Sequence, residues 1–222
     1  QITVVDLADR ILPSILDEEG SGIVQEHIEK KGIRFFLNDS AAELTDGRAV
    51  LKSGTELDFD VLVVAVGVRP NISLALPDIY AAGDCAQSHD ITTGQDRVLA
   101  LLPNAYMQGE CAGINMAGGD KRYDKAIPMN AIGFFGLHII TAGTYDGEVY
   151  TVKKGHSYKK LFTKDNRLMG YILIGDIQRA GIYTSLIREK TPLDSIDFDL
   201  IREKPQLMAF SRKERIRVLA NR

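Results

Sequence analysis

The chain has 222 residues, a formal net charge of −3 and 45% hydrophobic residues, which suffices for one large domain or two small ones. This composition excludes a disordered chain, and the weak negative charge gives no overall field that would attract nucleic acid. The longest apolar runs, such as VLVVAVGV, are far too short to cross a membrane. Because QITVV opens like a buried strand, without an initiating Met or a signal peptide, we expect the chain to begin inside a domain.

The first third alternates strand and helix patterns in the manner of a nucleotide-binding unit. A short apolar run at 2–7 predicts a strand, and an acidic first turn followed by an apolar face predicts a helix at 17–32. A second strand is predicted at 33–37. Residues 43–52 alternate around an Asp-Gly dipeptide, which predicts a hairpin, and 55–59 supply its third strand.

Two apolar runs and a helix follow. The β-branched run at 61–67 is too short for a helix and predicts a buried strand that ends at Gly67. A second brief run, IYAAGD at 79–84, has the same pattern. Residues 101–118 predict a helix that opens near Pro103 and closes at two glycines.

Beyond residue 123 the pattern changes to short alternating strands, typical of an antiparallel sheet. The predicted strands are 131–135, 137–142, 148–153, 158–163 and 168–174. Helices are predicted at 179–189 and 211–221. An α/β front and an antiparallel back indicate separate domains with a boundary near 119–124.

Asp6 and Gly67 are candidate dinucleotide contacts. An acid at the end of the first strand of such a unit accepts hydrogen bonds from the adenosine ribose, and its charge repels a 2′-phosphate. That would favour NADH over NADPH. Without a glycine fingerprint, however, Asp6 is equally compatible with a strand end or a turn start, and Gly67 with a plain turn.

Asp84 is the stronger candidate. It follows Gly83 at a predicted strand end, where a carboxylate can accept hydrogen bonds from ligand hydroxyls, although an ordinary cap fits the spacing as well. The first turn of the helix at Pro103, Asn104 and Ala105 offers N–H groups and a positive dipole end, which suit an electron-rich ligand atom.

Cysteine and histidine spacing favours structural roles. Cys85 and Cys111 form neither a C-x-x-C motif nor a disulfide framework, so we expect small buried residues in a protein of the reducing cytoplasm. The four histidines lack metal-ligand spacing, and no metal site is expected.

Several phrases, taken in order, resemble the pyridine nucleotide-disulfide oxidoreductase family of flavoproteins: TVVDLADRILP, VLVVAVGVRPN, and IYAAGDCA followed by LLPNAYMQGECAGINMAG. Residues 126–189 resemble the C-terminal domain of the branch containing NADH:rubredoxin reductases, NADH oxidases and the flavoprotein part of nitrite reductases. The resemblance implies an α/β fold with partial Rossmann-like FAD/NAD(P)-binding domains followed by an α+β C-terminal interface domain. The implied bounds are 1–75 for the NAD-binding part, 76–122 for the FAD-binding part and 123–222 for the interface, or dimerisation, domain.

The resemblance also implies site roles. The implied NADH contacts are Asp6 at the adenosine ribose and Val66 with Gly67 beside the nicotinamide nucleotide. The implied FAD contacts are Gly83 and Asp84 near the ribityl or pyrophosphate group, and Pro103, Asn104 and Ala105 facing the pyrimidine side of the flavin. No catalytic side chain is implied.

The implied activity is hydride transfer from NADH to FAD, with electrons passed to a disulfide, O₂ or a redox protein, in a homodimer formed by the C-terminal domain. Alternatives are a coenzyme A-disulfide or polysulfide reductase, marked by a cysteine upstream of Gln1, and a non-catalytic dimerisation module. Both glycine fingerprints are absent from the sequence. We therefore expect a fragment of a longer protein, inactive alone and without tight FAD binding.

The stretch between Asn71 and Ile79 is shorter than the resemblance implies. The family separates the corresponding motifs by a few tens of residues, whereas this stretch spans at most about 27 Å when fully extended. The favoured interpretation is a segment omitted near Ala75-Leu76, and the alternative is a real deletion.

Overall fold

The computed structural model describes residues 1–68 and 79–211, which fall into two compact units. The first contains the described residues up to 68 together with Phe134–Leu137, and the second contains the remainder. The junction near 75–76 and nearly all of the helix predicted at 211–221 lie outside the described residues.

The first unit opens with a strand-helix-strand arrangement. Strand β1 (Ile2–Val5) pairs in parallel with β2 (Ile33–Phe36), and helix α1 (Glu18–Glu29) connects them, as a parallel pair requires. The side chain of Asp17 accepts a hydrogen bond from the Gly20 N–H at 2.9 Å and so caps α1. Because its apolar residues recur at helical spacing, α1 buries one face, formed by Gly20, Ser21, Val24 and Ile28. The predicted elements here are confirmed.

A small antiparallel sheet completes the regular structure of the first unit. Its strands are β3 (Ala41–Thr45), β4 (Arg48–Leu51) and β5 (Glu56–Asp58), with β4 in the centre. Because β4 lies between β3 and β5, it buries Ala49 and Leu51, whereas every residue of the edge strand β3 is exposed. The predicted hairpin and its third strand are confirmed.

The two apolar runs predicted as buried strands are not strands in the structure. Residues 61–68 have no regular secondary structure, and Val66 is 89% exposed. Ile79 and Tyr80 are also more than half exposed. A β-branched run becomes a strand only where a neighbouring strand accepts its backbone hydrogen bonds, and no described residues pair with either run.

The second unit begins with a hairpin that the sequence did not predict. Strands β6 (Gln87–Asp90) and β7 (Gln95–Val98) pair antiparallel, and helix α2 (Leu102–Met116) follows as predicted. The hairpin lacks an apolar alternation because the side chains that β6 buries are polar, namely Ser88 and Asp90.

A five-stranded sheet forms the body of the second unit. In spatial order its strands are β10 (Glu148–Lys154), β11 (Ser157–Lys164), β12 (Arg167–Ile174), β9 (Leu137–Gly143) and β8 (Met129–Phe134). The pairs β10–β11, β11–β12 and β12–β9 are antiparallel, as predicted. Strand β12 is central and is buried along most of its length.

Two helices pack on this sheet. Helix α3 (Ala180–Arg188) was predicted, whereas the six-residue α4 (Phe198–Glu203) was not. The rings of Tyr171 and Tyr183 lie 5.5 Å apart in the core, and the Tyr183 hydroxyl donates to the Ile201 carbonyl at 2.8 Å. Among the described helices, none combines the length and the hydropathy needed to cross a bilayer.

Candidate functional site

Asp6 lies at the carboxyl end of the parallel strand pair. Its N–H donates to the Phe36 carbonyl at 3.0 Å, and its own carbonyl accepts from the Asp39 N–H at 3.0 Å. The carboxylate is exposed, and its Oδ1 accepts from the Ala8 N–H at 2.9 Å. Asp6 therefore ends a strand and starts a turn, while Oδ2 accepts no hydrogen bond from the described residues.

Asp39, a second acid at this edge, was not singled out from the sequence. It is only 7% exposed, and its Oδ1 accepts from the Ser40 N–H at 2.8 Å and the Ser53 N–H at 3.3 Å. Hydrogen bonds from Ser53 above all lower the pKa of Asp39, against the opposing effect of desolvation. Because these internal donors occupy the carboxylate, Asp39 stabilises the loop and is not available to a ligand.

Val66 and Gly67 lie in the exposed segment 61–68, which has no regular secondary structure. Gly67 has a φ of +96°, a backbone conformation that strongly favours glycine. A Cβ added at Gly67 would meet no described atom within 4 Å. The glycine is therefore required by backbone conformation, not by a close approach within the described chain.

In the second unit, Gly83 and Asp84 lie against the start of α2. Gly83 has a φ of +92°, and a Cβ built on it would be 3.8 Å from the Cβ of Ala105. The Gly83 N–H donates to Oε1 of Gln108 at 2.6 Å. The Asp84 carboxylate is exposed and has no hydrogen-bond partner among the described residues. The structure thus brings together residues predicted from two separate motifs.

The first turn of α2 has no side-chain cap. Its N-cap residue is Leu101, and the first helical hydrogen bond runs from the Ala105 N–H to the Leu101 carbonyl at 3.0 Å. The N–H groups of Leu102 and Asn104 precede that bond, while Pro103 has none. This turn therefore offers backbone donors at the positive end of the helix dipole.

The Asn104 side chain is structural. It is fully buried, its Nδ2 donates to the Ile127 carbonyl at 3.2 Å, and its Oδ1 accepts from the Tyr123 hydroxyl at 2.6 Å. Burial raises the pKa of Tyr123, although the nearby Arg188 charge partly opposes this shift. A ligand at this turn would therefore meet the backbone of Asn104 and not its amide.

Sequence reasoning missed Gln108 and the polar groups around it. Gln108 is 7% exposed, lies one turn after Asn104 on the buried face of α2, and also donates from Nε2 to the Ser88 hydroxyl. The available signal was the recurrence of amides at 104, 108 and 115, which follows the period of one helix face.

Both cysteines were predicted to be buried, which is confirmed for Cys111 and wrong for Cys85. Cys111 is buried and its thiol donates to the Lys121 carbonyl at 3.1 Å, whereas Cys85 is exposed because its loop leaves the thiol on the surface. Both are free thiols. In the described ranges, no cluster of three or more His, Cys, Asp or Glu side chains is arranged to hold a metal ion.

A cavity of about 530 Å³ in the first unit is not the predicted site. Its lining comprises Gln1, Glu29, Gly32, Ile33, Arg34, Phe35 and Phe36, and it includes none of the proposed cofactor contacts.

Comparison with protein families identifies two domains in order. Residues 1–76 match the family described as "Pyridine nucleotide-disulphide oxidoreductase", and residues 128–191 match "Rubredoxin NAD+ reductase C-terminal domain". These matched ranges contain the strand-helix-strand arrangement of the first unit and the five-stranded sheet of the second.

Two similar relatives are enzymes or enzyme subunits. The NADH-dependent phenylglyoxylate dehydrogenase subunit epsilon of Aromatoleum evansii is 27% identical over 225 residues, covering 86% of this chain and 53% of the relative. An NADH oxidase of Methanocaldococcus jannaschii is 32% identical over 55% of this chain and 33% of its own length. The chain thus spans about half or less of these relatives. Since a match of 225 positions uses only 86% of 222 residues, the first relative contains residues in the matched region that this chain lacks.

Among solved structures, an NAD-dependent persulfide reductase from A. fulgidus superposes with a TM-score of 0.77. The match covers 87% of this chain and 45% of that protein, with 23% identity, so it shows the fold. The predicted fold class, with Rossmann-like parts before an α+β domain, is therefore confirmed. The resemblance to the pyridine nucleotide-disulphide oxidoreductase family is therefore confirmed over residues 1–76, and the resemblance to the rubredoxin reductase C-terminal domain over residues 128–191.

Proposed function

We propose that the chain is part of an FAD-dependent NAD(P)H oxidoreductase that passes hydride from NADH to FAD and electrons onward to an acceptor. The observation that carries this proposal is the Gly83-Asp84 loop, which lies against the uncapped first turn of α2. The match of residues 1–76 to the pyridine nucleotide-disulphide oxidoreductase family supports the cofactor class. The proposed division of labour is 1–75 for NADH, 76–122 for FAD and 123–222 for an interface.

The residues at this loop fit a flavin cofactor. The exposed Asp84 carboxylate would accept hydrogen bonds from ribityl hydroxyls, and Gly83 lets the backbone turn beside it without a Cβ. The first turn at Pro103, Asn104 and Ala105 would face the pyrimidine side, with the Asn104 N–H as its backbone donor, and the positive helix end there favours added negative charge. When bound, FAD supplies the capacity to accept a hydride and release electrons singly or in pairs.

In the first unit, the proposed NADH contacts are Asp6, Val66 and Gly67. The free Oδ2 of Asp6, at the carboxyl end of a parallel strand pair, supports a ribose contact. The negative charge would disfavour the 2′-phosphate of NADPH, so NADH is the proposed donor. Exposed Val66 and positive-φ Gly67 are proposed to lie beside the nicotinamide nucleotide.

Three acceptor classes are proposed. The match to a rubredoxin reductase C-terminal domain supports a redox protein, and the likeness to an NADH oxidase supports O₂. A disulfide acceptor, as in a coenzyme A-disulfide or polysulfide reductase, remains the alternative and is distinguished by a reactive cysteine upstream of Gln1.

The proposed location is the cytoplasm. The free thiols of Cys85 and Cys111 support this proposal, because the cytoplasm is a reducing compartment.

FAD titration followed by NMR tests the proposal and also separates it from a non-catalytic dimerisation module. We expect millimolar FAD to shift the backbone amide resonances of Asp84 and Asn104 in this chain. Asp84→Asn should weaken the response about tenfold, because a charged acceptor is replaced by a neutral group. Asp96→Asn, an exposed acid on the neighbouring hairpin, is the matched control and should leave the response unchanged.

Absence of any FAD-dependent shift at Asp84 and Asn104 would contradict the flavin role. Because the glycine fingerprint is missing from the sequence, binding should be weak. Tight binding of one FAD per chain, detected as flavin absorbance at about 450 nm, would contradict the expectation of weak binding.

A further inference from the structure

One side chain of α2 holds both ends of the loop that carries Asp84. Gln108 Oε1 accepts from the Gly83 N–H at 2.6 Å, and Gln108 Nε2 donates to the Ser88 hydroxyl. Gln108 and Ser88 are 7% and 5% exposed, so water does not compete for these bonds. Asp84 lies between the two attachment points.

The loop has little else to fix it. The Ala86 N–H donates to the Gly83 carbonyl at 3.0 Å, and the Cys85 thiol makes a long contact of 3.7 Å with the Ala82 carbonyl. Both contacts are internal to the loop. Within the described structure, Gln108 is therefore the side chain that ties this loop to the helix whose first turn faces the same site.

We propose that Gln108 is a positioning residue that sets where the Asp84 carboxylate stands relative to the first turn of α2. This inference rests on the proposed function, because Asp84 matters as a cofactor contact only if FAD binds there. A buried amide suits the role, since it offers one acceptor and one donor in a fixed plane and matches Gly83 and Ser88 at the same time. Its loss would leave the Gly83 N–H without its acceptor.

The test compares Gln108→Leu with Asn115→Leu. Asn115 is a second amide on α2, and it holds the backbone of Lys121 through bonds of 2.7 and 2.8 Å, in a segment that carries no proposed cofactor contact. Two quantities are measured in each variant: the hydrogen-exchange rate of the Gly83 amide, and the FAD concentration needed to shift the Asp84 resonance.

We expect Gln108→Leu to raise exchange at Gly83 at least tenfold and to weaken the FAD response at least tenfold. Asn115→Leu should change neither quantity, although both variants lose thermal stability. Gln108→Glu should restore much of both, because a carboxyl group offers an acceptor to Gly83 in either protonation state. Should Gln108→Leu fail to fold, Ser88→Ala removes only one attachment and should raise exchange across the loop to a smaller extent.

Unchanged exchange at Gly83 in Gln108→Leu would overturn the proposal. An FAD response that falls equally in Gln108→Leu and Asn115→Leu would also overturn it, since the effect would then be general loss of stability. If the unaltered chain shows no FAD response, the proposed function fails, whereas the exchange data still decide whether Gln108 holds the loop.

Discussion

At the residue scale, hydrogen-bond partners separate aspartates that look alike in the sequence. Asp39 and Asp90 are buried and accept hydrogen bonds from neighbouring backbone and side-chain donors. Asp6 and Asp84 are exposed and retain oxygens without a partner in the described chain. Since a ligand hydroxyl needs an unoccupied acceptor, the second pair suits a cofactor and the first pair suits structure.

Replacing Asp90 by Asn should destabilise the second unit by about 2–3 kcal/mol, the scale of lost hydrogen bonds to a charged group. Its carboxylate accepts from Thr92 Oγ1 at 2.6 Å and from Arg97 Nε at 2.8 Å, and it is fully buried. The control is Asp96→Asn, which removes an exposed pair with His89 and should cost less than about 1 kcal/mol. Urea unfolding measures the free energy of unfolding of both variants. Equal losses of stability would contradict the structural role of the buried Asp90 carboxylate.

The loss of stability caused by Asp90→Asn should depend on pH. Burial raises the pKa of Asp90, but hydrogen bonds from Thr92 and the charge of Arg97 outweigh it, so the pKa lies below 3.8. A lowered folded-state pKa means that the carboxylate contributes stability above 3.8, which is lost as the pH falls through the folded value. The difference between Asp90→Asn and the unaltered chain should therefore shrink below pH 3.8. A difference that stays constant across this window would contradict the argument.

At the element scale, the same kind of apolar run has different outcomes according to its partners. Strand β12 is flanked by β11 and β9 and is buried, whereas the run at 61–68 has no described strand beside it and is exposed. A run with high β-propensity forms a strand only when a neighbouring strand supplies hydrogen bonds and an apolar face. An uncharged β-branched segment left exposed is prone to pair with another chain.

Introducing a charge into that run should suppress aggregation. Val64 is 67% exposed, so Val64→Lys should leave the unfolding free energy within about 0.5 kcal/mol of the original value. Light scattering at matched concentration should fall severalfold, because a lysine interrupts the uncharged run. Leu44→Lys, at a similarly exposed site in β3, is the control and should leave scattering nearly unchanged. Equal suppression by both would point to net charge as the cause.

At the scale of the whole molecule, the described chain contains a parallel strand pair in one unit and an antiparallel sheet in the other. The two matched domains occur in the corresponding order. The chain covers about half or less of the length of these relatives, so hydride transfer, acceptor and partner stay proposals. One relative contains extra residues within the matched region, and the omission or deletion between 71 and 79 stays a prediction.

Self-association through 123–222 is the prediction at this scale. The Val64→Lys chain should sediment with twice the monomer mass of 24.5 kDa, because a charge in the run at 61–68 suppresses aggregation and leaves the proposed interface at 123–222 intact. Analytical ultracentrifugation measures the mass over a range of concentrations. Monomeric behaviour at every concentration would contradict a homodimer formed by this domain.

The sequence by itself determined the features whose signals are local. An acidic first turn with an apolar face located α1, Pro103 and two closing glycines located α2, and an α/β front followed by an antiparallel back indicated the fold class. Gly67 and Gly83 both have a positive φ, which glycine adopts more readily than other residues, while their contacts to a cofactor stay predictions. The order of motifs was sufficient to indicate the family.

Only the tertiary structure decided which of these local patterns acquired partners. It left the run at 61–68 exposed, formed the β6–β7 hairpin from polar residues, and placed Gln108 between Gly83 and Ser88. None of these outcomes has a local signal, because strand pairing and buried polar networks depend on groups far apart in sequence. Residue type and spacing identify a candidate carboxylate, whereas its burial and its donors determine whether a ligand can use it.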